Sequence, residues 1–132
     1  DLNNIDDPSL FSVFASVCVT KTLEELGLSN ISIKWPNDIY VDGKKICGIL
    51  SEGKFIGNKL AYVVVGIGLN VNQTYMGEEI LHPFTSIKLE LEENVDITKV
   101  KEILFPKIQE MISNINDDKG EYKERSCNCH LW

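Results

Sequence analysis

A carboxylate and an ammonium group flank a predicted turn in the run KWPNDIYVDGKKICGIL, residues 34–50. Asp42-Gly43 favours a two-residue hairpin, because a type I′ turn needs positive φ at both central positions. Side chains alternate between the two faces of a strand, so Asp38 and Lys45 should share one face on a diagonal of roughly 7–8 Å. The pattern therefore predicts a charged pair held beside Tyr40, and the question is what chemistry that pair serves.

The predicted turn also sets the pairing of the two strands. The expected partners are Val41 with Lys44, Tyr40 with Lys45, Ile39 with Ile46, and Asp38 with Cys47. In that register Cys47 shares the face of the charged pair, and Gly48 leaves a gap that a ligand or another backbone could approach. The alternative is an exposed ion pair on a solvated hairpin, worth roughly 0–1 kcal/mol. The flanking Trp35-Pro36 and Cys-Gly-Ile-Leu are poor choices for a solvated ribbon.

A second group of unusual residues lies in KLAYVVVGIGLNV, residues 59–71, which is rich in β-branched residues and predicts a buried central strand. A dinucleotide-binding fingerprint would need a third glycine at the position of Val71, and no helix start follows, so that interpretation fails. Two glycines, Gly66 and Gly68, would still let something approach the strand backbone beside the polar Asn70. A bulge or a close helix contact would explain the glycines equally well.

The overall composition limits the class of protein. The 132 residues, 43% hydrophobic and 25% charged, are typical of one globular domain or less, and the start at Asp1 indicates an excerpted or processed piece. A net charge of −7 argues against nucleic-acid binding, and no apolar run approaches the roughly 20 residues of a membrane span. Arg125 is the only arginine, so an arginine clamp on phosphate would have to lie outside this chain.

The four cysteines do not form the pattern of a disulfide framework, which predicts a reducing, cytoplasmic location. Cys127, Cys129 and His130 could supply three zinc ligands, but a structural site needs four and the spacing is unusual. We therefore expect the polar tail, residues 116–132, to be a mobile terminus without metal.

Capping residues and apolar spacing predict the remaining elements. Asp7-Pro8 should start a helix that Gly27 ends, followed by a strand from Ile31. A short helix at residues 85–92 should precede a longer one with an interior proline, Pro106, which predicts a kink or a break. The apolar stripe of that longer helix consists of Val100, Leu104, Ile108, Met111 and Ile115. This order predicts an α/β (α+β) domain over residues 1–115, with a mixed sheet and helices on one face.

Three sequence blocks together resemble the catalytic domain of the biotin protein ligase family. KWPNDI at residues 34–39 is the most recognisable run of that family, and KICGIL with Glu52 is similar to its Lys-x-x-Gly-Ile-Leu-x-Glu block. VGIGLNVN, residues 65–72, is similar to its Gly-x-Gly-x-Asn strand. The resemblance covers about residues 8–90 and implies the second half of a catalytic domain. The implied fold is a largely antiparallel sheet like that of class II aminoacyl-tRNA synthetases, shared with lipoate ligases.

The resemblance implies a two-step reaction in which biotin and MgATP give biotinyl-5′-adenylate and pyrophosphate. A lysine of the biotin carrier domain of a carboxylase then takes the biotin. Lys45 would be the cation between the biotin carboxylate and the α-phosphate, two anions that repel each other. The other implied roles are metal or lysine organisation by Asp38, nucleotide binding by Trp35, Asn37 and Asn70, and biotin binding along Gly48, Gly66 and Gly68.

The chain also departs from the family pattern. It lacks the Gly-Arg-Gly-Arg-x-Gly loop that closes over the adenylate, and the ending ERSCNCHLW does not resemble the family's continuation. A non-catalytic or degenerate module that binds ligand weakly or pairs with another subunit, such as a homodimer, is therefore an alternative. A lipoate ligase relative is another alternative, although the Trp-Pro-Asn-Asp run favours biotin.

Overall fold

The computed structural model describes residues 7–35, 37–75 and 82–117, with side chains up to residue 114. Pro36 and the tail with Cys127, Cys129 and His130 lie outside the described residues. The elements in chain order are α1 (Ser9–Glu25), β1 (Ile31–Lys34), β2 (Asp38–Val41), β3 (Lys44–Ile56), β4 (Lys59–Leu69), α2 (Ile87–Leu91) and α3 (Ile97–Asp117).

Helix α1 begins and ends at the residues that the sequence indicates. The Asp7 carboxylate accepts a hydrogen bond of 2.9 Å from the Ser9 N–H, one of the donors that has no partner within the helix. Gly27 has a φ of +100°, the left-handed conformation that ends helices, and the Leu28 N–H then donates back to the Leu23 carbonyl. The predicted boundaries of this helix are confirmed.

The four strands form one antiparallel sheet in the order β1-β2-β3-β4. Helix α1 packs against β2, β3 and β4, and α3 packs against α1, so the predicted sheet with helices packed on it is confirmed. The prediction of a central β4 is wrong for the described sheet, where β4 is the edge strand and Tyr62 and Val64 are more than half exposed. A strand rich in β-branched residues suits a pleated sheet, but this composition does not determine whether the strand is central or at an edge.

The core lies between α1, α3 and one face of the sheet. Its fully buried members include Val19, Leu23, Ile39, Val41, Ile46, Leu69, Val100 and Leu104. Ile49 and Ile67, a cross-strand pair between β3 and β4, belong to the same cluster, so their strand neighbours must point to the opposite face. We call that opposite face the open face.

Two polar residues cap the C-terminal helices. The Ser86 hydroxyl accepts a hydrogen bond from the Leu89 N–H at the start of α2, and Asp96 accepts one from the Thr98 N–H at the start of α3. Helix α3 continues through Pro106, so the predicted break does not occur. An ion pair between Lys107 and Glu25 ties α3 to α1. Among the described residues, no helix is long and apolar enough to cross a membrane.

Candidate functional site

The hairpin that carries the charged pair forms as the turn chemistry predicts. Asp42 and Gly43 have φ values of 48° and 77°, the positive values that a type I′ turn requires. Val41 pairs with Lys44 and Tyr40 with Lys45, in agreement with the expected register.

Beyond Lys45 the expected register is wrong by one residue, because β3 contains a bulge. Ile39 pairs with Cys47 instead of Ile46, and Asp38 pairs with Gly48 instead of Cys47. The extra residue is Ile46, and it is fully buried together with Cys47. The adjacent apolar pair Ile-Cys is the signal in the sequence, because two neighbours in a regular strand would point to opposite faces.

The bulge moves the Cys47 thiol away from the charged pair and into the core. Burial raises the pKa of Cys47 to about 12, outweighing the nearby Lys45 ammonium, which acts in the opposite direction. The thiol donates only a long contact of 3.7 Å to the Gly48 carbonyl. A buried, protonated thiol is a poor nucleophile, so Cys47 contributes packing and not reactivity.

The same bulge places Lys45 and Gly48 on one face, next to Asp38. The Lys45 Nζ lies 3.2 Å from the Asp38 Oδ1, with side-chain exposures of 43% and 29%. A β-carbon built on Gly48 would lie 3.4 Å from both Cε and Nζ of Lys45. The lysine side chain therefore lies over the glycine, in the gap that the missing side chain leaves.

A cavity of about 550 Å³ opens on this face of the sheet. Gly48 pairs with Gly68 and Gly66 pairs with Leu50, so three glycines leave the β3–β4 backbone bare. The lining residues are Asn37, Asp38, Lys45, Gly48, Ile49, Leu50, Val64, Val65, Gly66, Ile67 and Gly68. The structure thus brings together six of the eight site residues that the sequence singled out, since Lys45 and Asp38 border the same opening as the three glycines and Asn37.

Trp35 and Asn70 do not line this cavity. Trp35 is 72% exposed. The Asn70 Nδ2 donates a 3.1 Å hydrogen bond to the Thr85 carbonyl, so its amide is already engaged with the protein. Asn37 is held at the cavity by its own carbonyl, which accepts a 2.8 Å hydrogen bond from the Ile49 N–H.

The segment 83–85 holds the backbone of Lys45, a feature that sequence reasoning missed. The Lys45 N–H donates to the Pro83 carbonyl at 3.1 Å, and the Thr85 N–H donates to the Lys45 carbonyl at 2.9 Å. Lys45 and Phe84 thereby form a short parallel bridge beside the end of β4. No local pattern predicts a contact between residues 40 positions apart.

The described residues offer little for a protein-bound metal. They contain no group of three or more His, Cys, Asp or Glu side chains that could hold an ion. Asp38, the residue that the sequence suggested for Mg²⁺, is already paired with the Lys45 ammonium. The described residues therefore do not fit a dedicated Mg²⁺ cage, and a nucleotide-borne ion would depend on the phosphates for most of its ligands.

Comparison with known proteins gives the same family in sequence and in structure. The Biotin/lipoate A/B protein ligase family matches residues 1–70. The bifunctional ligase/repressor BirA of Bacillus subtilis is 44% identical over 62 residues, which cover 47% of this chain and 19% of that protein. BirA of Escherichia coli is 30% identical over 71 residues, covering 54% of this chain and 22% of that protein.

The solved structures extend the likeness over most of the chain. The apo biotin protein ligase from Aquifex aeolicus has a TM-score of 0.67 at 32% identity, covering 89% of this chain and 50% of that one. The same ligase in complex with biotin and ATP has a TM-score of 0.66 at 32% identity, covering 90% and 47%. The chain spans about half the length of these structures and about a fifth of the curated relatives. It belongs to the biotin/lipoate A/B protein ligase family.

Proposed function

We propose that this chain forms the lysine-bearing part of a biotin protein ligase site. In the proposed reaction, a carboxylate oxygen of biotin bonds to the α-phosphorus of ATP and pyrophosphate leaves. A lysine amine of a biotin carrier domain then attacks the acyl carbon, loses its proton and releases AMP. The observation that carries the proposal is the Lys45 amine, which lies over a glycine and beside a bare strand backbone.

Lys45 is suited to bring two anions together. Its side chain is 43% exposed, so the amine can reach a ligand, while the ion pair with Asp38 holds it at the cavity. The transition state of adenylation gathers negative charge between a carboxylate and a phosphate, and a positioned cation stabilises that charge. Asp38 acts in this scheme on the lysine and not as the main ligand of a metal.

Gly66 and Gly68 provide the surface for biotin in this proposal, whereas the Lys45 side chain occupies the space above Gly48. Gly66 has space above it, because the nearest atom to a β-carbon built there is the Leu50 carbonyl at 3.8 Å. Backbone that is free of side chains lets a flat ring system lie against the strands. A volume of about 550 Å³ also suits a small organic ligand.

The nucleotide would lie towards the end of the site that carries Asn37, with Trp35 beyond it. Asn37 lines the cavity and carries a side-chain amide, and Trp35 offers an exposed ring on which a base could stack. Asn70 would assist there only if it exchanged its bond to Thr85 for one to the nucleotide. ATP arrives with Mg²⁺ in this proposal, and no step depends on a protein ligand to the ion.

The partner in the second step is a biotin carrier domain, and the location is a reducing cytoplasm. The support for this location is that the two cysteines among the described residues, Cys18 and Cys47, are free thiols in the core. The acceptor lysine must enter at the open face, since α1 covers the opposite side of the sheet.

A biotin-transfer assay tests the proposal. The chain is assayed alone and as a longer protein in which a segment carrying the Gly-Arg-Gly-Arg-x-Gly loop precedes Asp1. We call this longer protein the loop-supplied protein. We expect transfer only in the loop-supplied protein, and weak or no biotin binding to the chain alone by calorimetry. Nanomolar binding of biotin to the chain alone would show that the loop is dispensable.

Lys45→Ala in the loop-supplied protein tests the assigned role. A unit charge about 4 Å from another contributes about 4 kcal/mol at an effective dielectric constant of 20, which corresponds to a loss of roughly 10³-fold in adenylate formation. The free energy of unfolding should change by less than about 1 kcal/mol, because the ion pair is partly exposed. Normal pyrophosphate release by this variant would refute the proposed function.

A pairing module is the second candidate, and the exposed edge strand favours it. Leu50, Tyr62 and Val64 are each more than half exposed around β4, a surface that another chain could cover. Sedimentation of the chain alone separates the two candidates. A stable dimer without any transfer activity in the loop-supplied protein would favour the pairing module, and lipoate offered in place of biotin tests the lipoate alternative.

A further inference from the structure

Thr85 connects three parts of the molecule although it is nearly inaccessible to solvent. It is 1% exposed, and each of its polar groups has a partner in a different element. Its N–H donates to the Lys45 carbonyl, its carbonyl accepts from the Asn70 Nδ2, and its hydroxyl donates to the Glu90 Oε1 at 2.6 Å. A buried residue must satisfy its polar groups, and all three polar groups of Thr85 are paired.

The backbone of Lys45 depends on this connection. The bulge at Ile46 interrupts the regular ladder, and β4 pairs with β3 only as far as Cys47 and Leu69. The segment 83–85 takes the place of β4 beside Lys45 and bonds both of its main-chain groups. The direction in which the lysine side chain leaves the strand therefore depends on where this segment is held.

Two side-chain hydrogen bonds hold the segment, and both involve Thr85. Helix α2 holds it through the bond between the Thr85 hydroxyl and Glu90, and the end of β4 holds it through Asn70. Two backbone bonds also join the start of α2 to the residues after β4: the Ile87 N–H donates to the Asn70 carbonyl at 3.1 Å, and the Lys88 N–H donates to the Val71 carbonyl at 2.8 Å.

We infer that Thr85 is a positioning residue for Lys45: its hydroxyl bond to Glu90 fixes the 83–85 backbone, which in turn fixes the main chain of the lysine. The catalytic consequence rests on the proposed function of Lys45, whereas the structural connection does not. A shift of the reacting group by about 1 Å can lower a rate by as much as 10²-fold, so a loosened anchor should reduce turnover.

Amide hydrogen exchange on the full chain tests the connection directly. Thr85→Val keeps the shape and removes the hydroxyl, and we expect the Lys45 amide to exchange about tenfold faster or more because its bond to Pro83 opens locally. Thr85→Ser restores the hydroxyl and should restore protection. The matched control is Thr22→Val, which removes another buried hydroxyl, one that donates to the Cys18 carbonyl within α1. Unchanged protection of Lys45 in Thr85→Val would overturn the inference.

Turnover of the loop-supplied protein tests the catalytic consequence. We expect Thr85→Val to lower kcat for adenylate formation about tenfold with the KM for biotin nearly unchanged, because the glycine surface is untouched. Thr85→Ser should recover kcat, and Thr22→Val should leave it near the original value. Should Thr85→Val fail to fold, Glu90→Ala removes the acceptor from a half-buried position and must show the same loss.

Lys45→Ala, measured in parallel, separates the two ways of failing. If it abolishes adenylation while Thr85→Val behaves like Thr22→Val, the positioning role is wrong and the proposed function stands. If it leaves adenylation intact, the proposed function is wrong, and the exchange experiment alone decides whether Thr85 holds the lysine backbone.

Discussion

Enlarging residue 48 should separate folding from catalysis, because the side chain of Lys45 occupies the space above this glycine. A β-carbon at position 48 would lie 3.4 Å from Cε and Nζ of Lys45 and 3.8 Å from Oδ1 of Asp38. These are ordinary contact distances, so Gly48→Ala needs only a small adjustment of a flexible side chain. Gly48→Val adds methyl groups about 1.5 Å further out, and a methyl directed at the amine would overlap it.

The expected effects on stability and rate therefore have opposite signs. Both variants stiffen the unfolded chain at a position whose backbone is not left-handed, which stabilises folding by roughly 0.4–1 kcal/mol. Gly48→Val must displace the Lys45 amine by about 1 Å or more, and such a displacement can lower the rate of adenylate formation about 10²-fold. Gly48→Ala should retain most of the activity.

Urea unfolding and pyrophosphate release in the loop-supplied protein measure the two effects. The double variant Gly48→Val with Lys45→Ala completes a double-mutant cycle. If valine acts by displacing the amine, the double variant should be no slower than Lys45→Ala alone. Losses that multiply in the double variant would refute the reasoning, since they would mean that Gly48 serves the ligand directly. Full activity in Gly48→Val would refute it as well.

Asp38→Asn removes the charge partner of the lysine and keeps the shape of the side chain. The free energy of unfolding should change by less than about 1 kcal/mol, because the pair is partly exposed. The rate of adenylate formation should fall less than in Lys45→Ala. A larger loss than in Lys45→Ala would assign Asp38 a separate role. Burial raises the pKa of Cys47 from 9.0 to about 12, so iodoacetamide at pH 8 should label it far more slowly in the folded protein than in urea. Because the unfolded thiol ionises first, folding stability relative to Cys47→Ala should fall as pH rises from about 9 to about 12, by at most roughly 1.4 kcal/mol per pH unit. A flat difference over that range would show that the thiol is not buried.

Local sequence chemistry determined the parts of the site that depend on near neighbours in the chain. The type I′ turn follows from two residues that tolerate positive φ, and it brings Lys45 near Asp38 as expected. The start of α1 follows from Asp7. The glycines that line the cavity stand out in the sequence as residues without a side chain inside predicted strands. The family could likewise be recognised from three short blocks of sequence.

Tertiary contacts decided the features that the local pattern could not. The bulge at Ile46 overturned the alternation that had placed Cys47 on the open face, and its backbone is bonded by Asn70, far along the chain. The edge position of β4 and the anchoring of Lys45 by residues 83–85 have the same origin. Hydrogen bonds between residues about 25 to 40 positions apart leave no periodicity in the sequence, so only the folded chain shows which backbone groups pair.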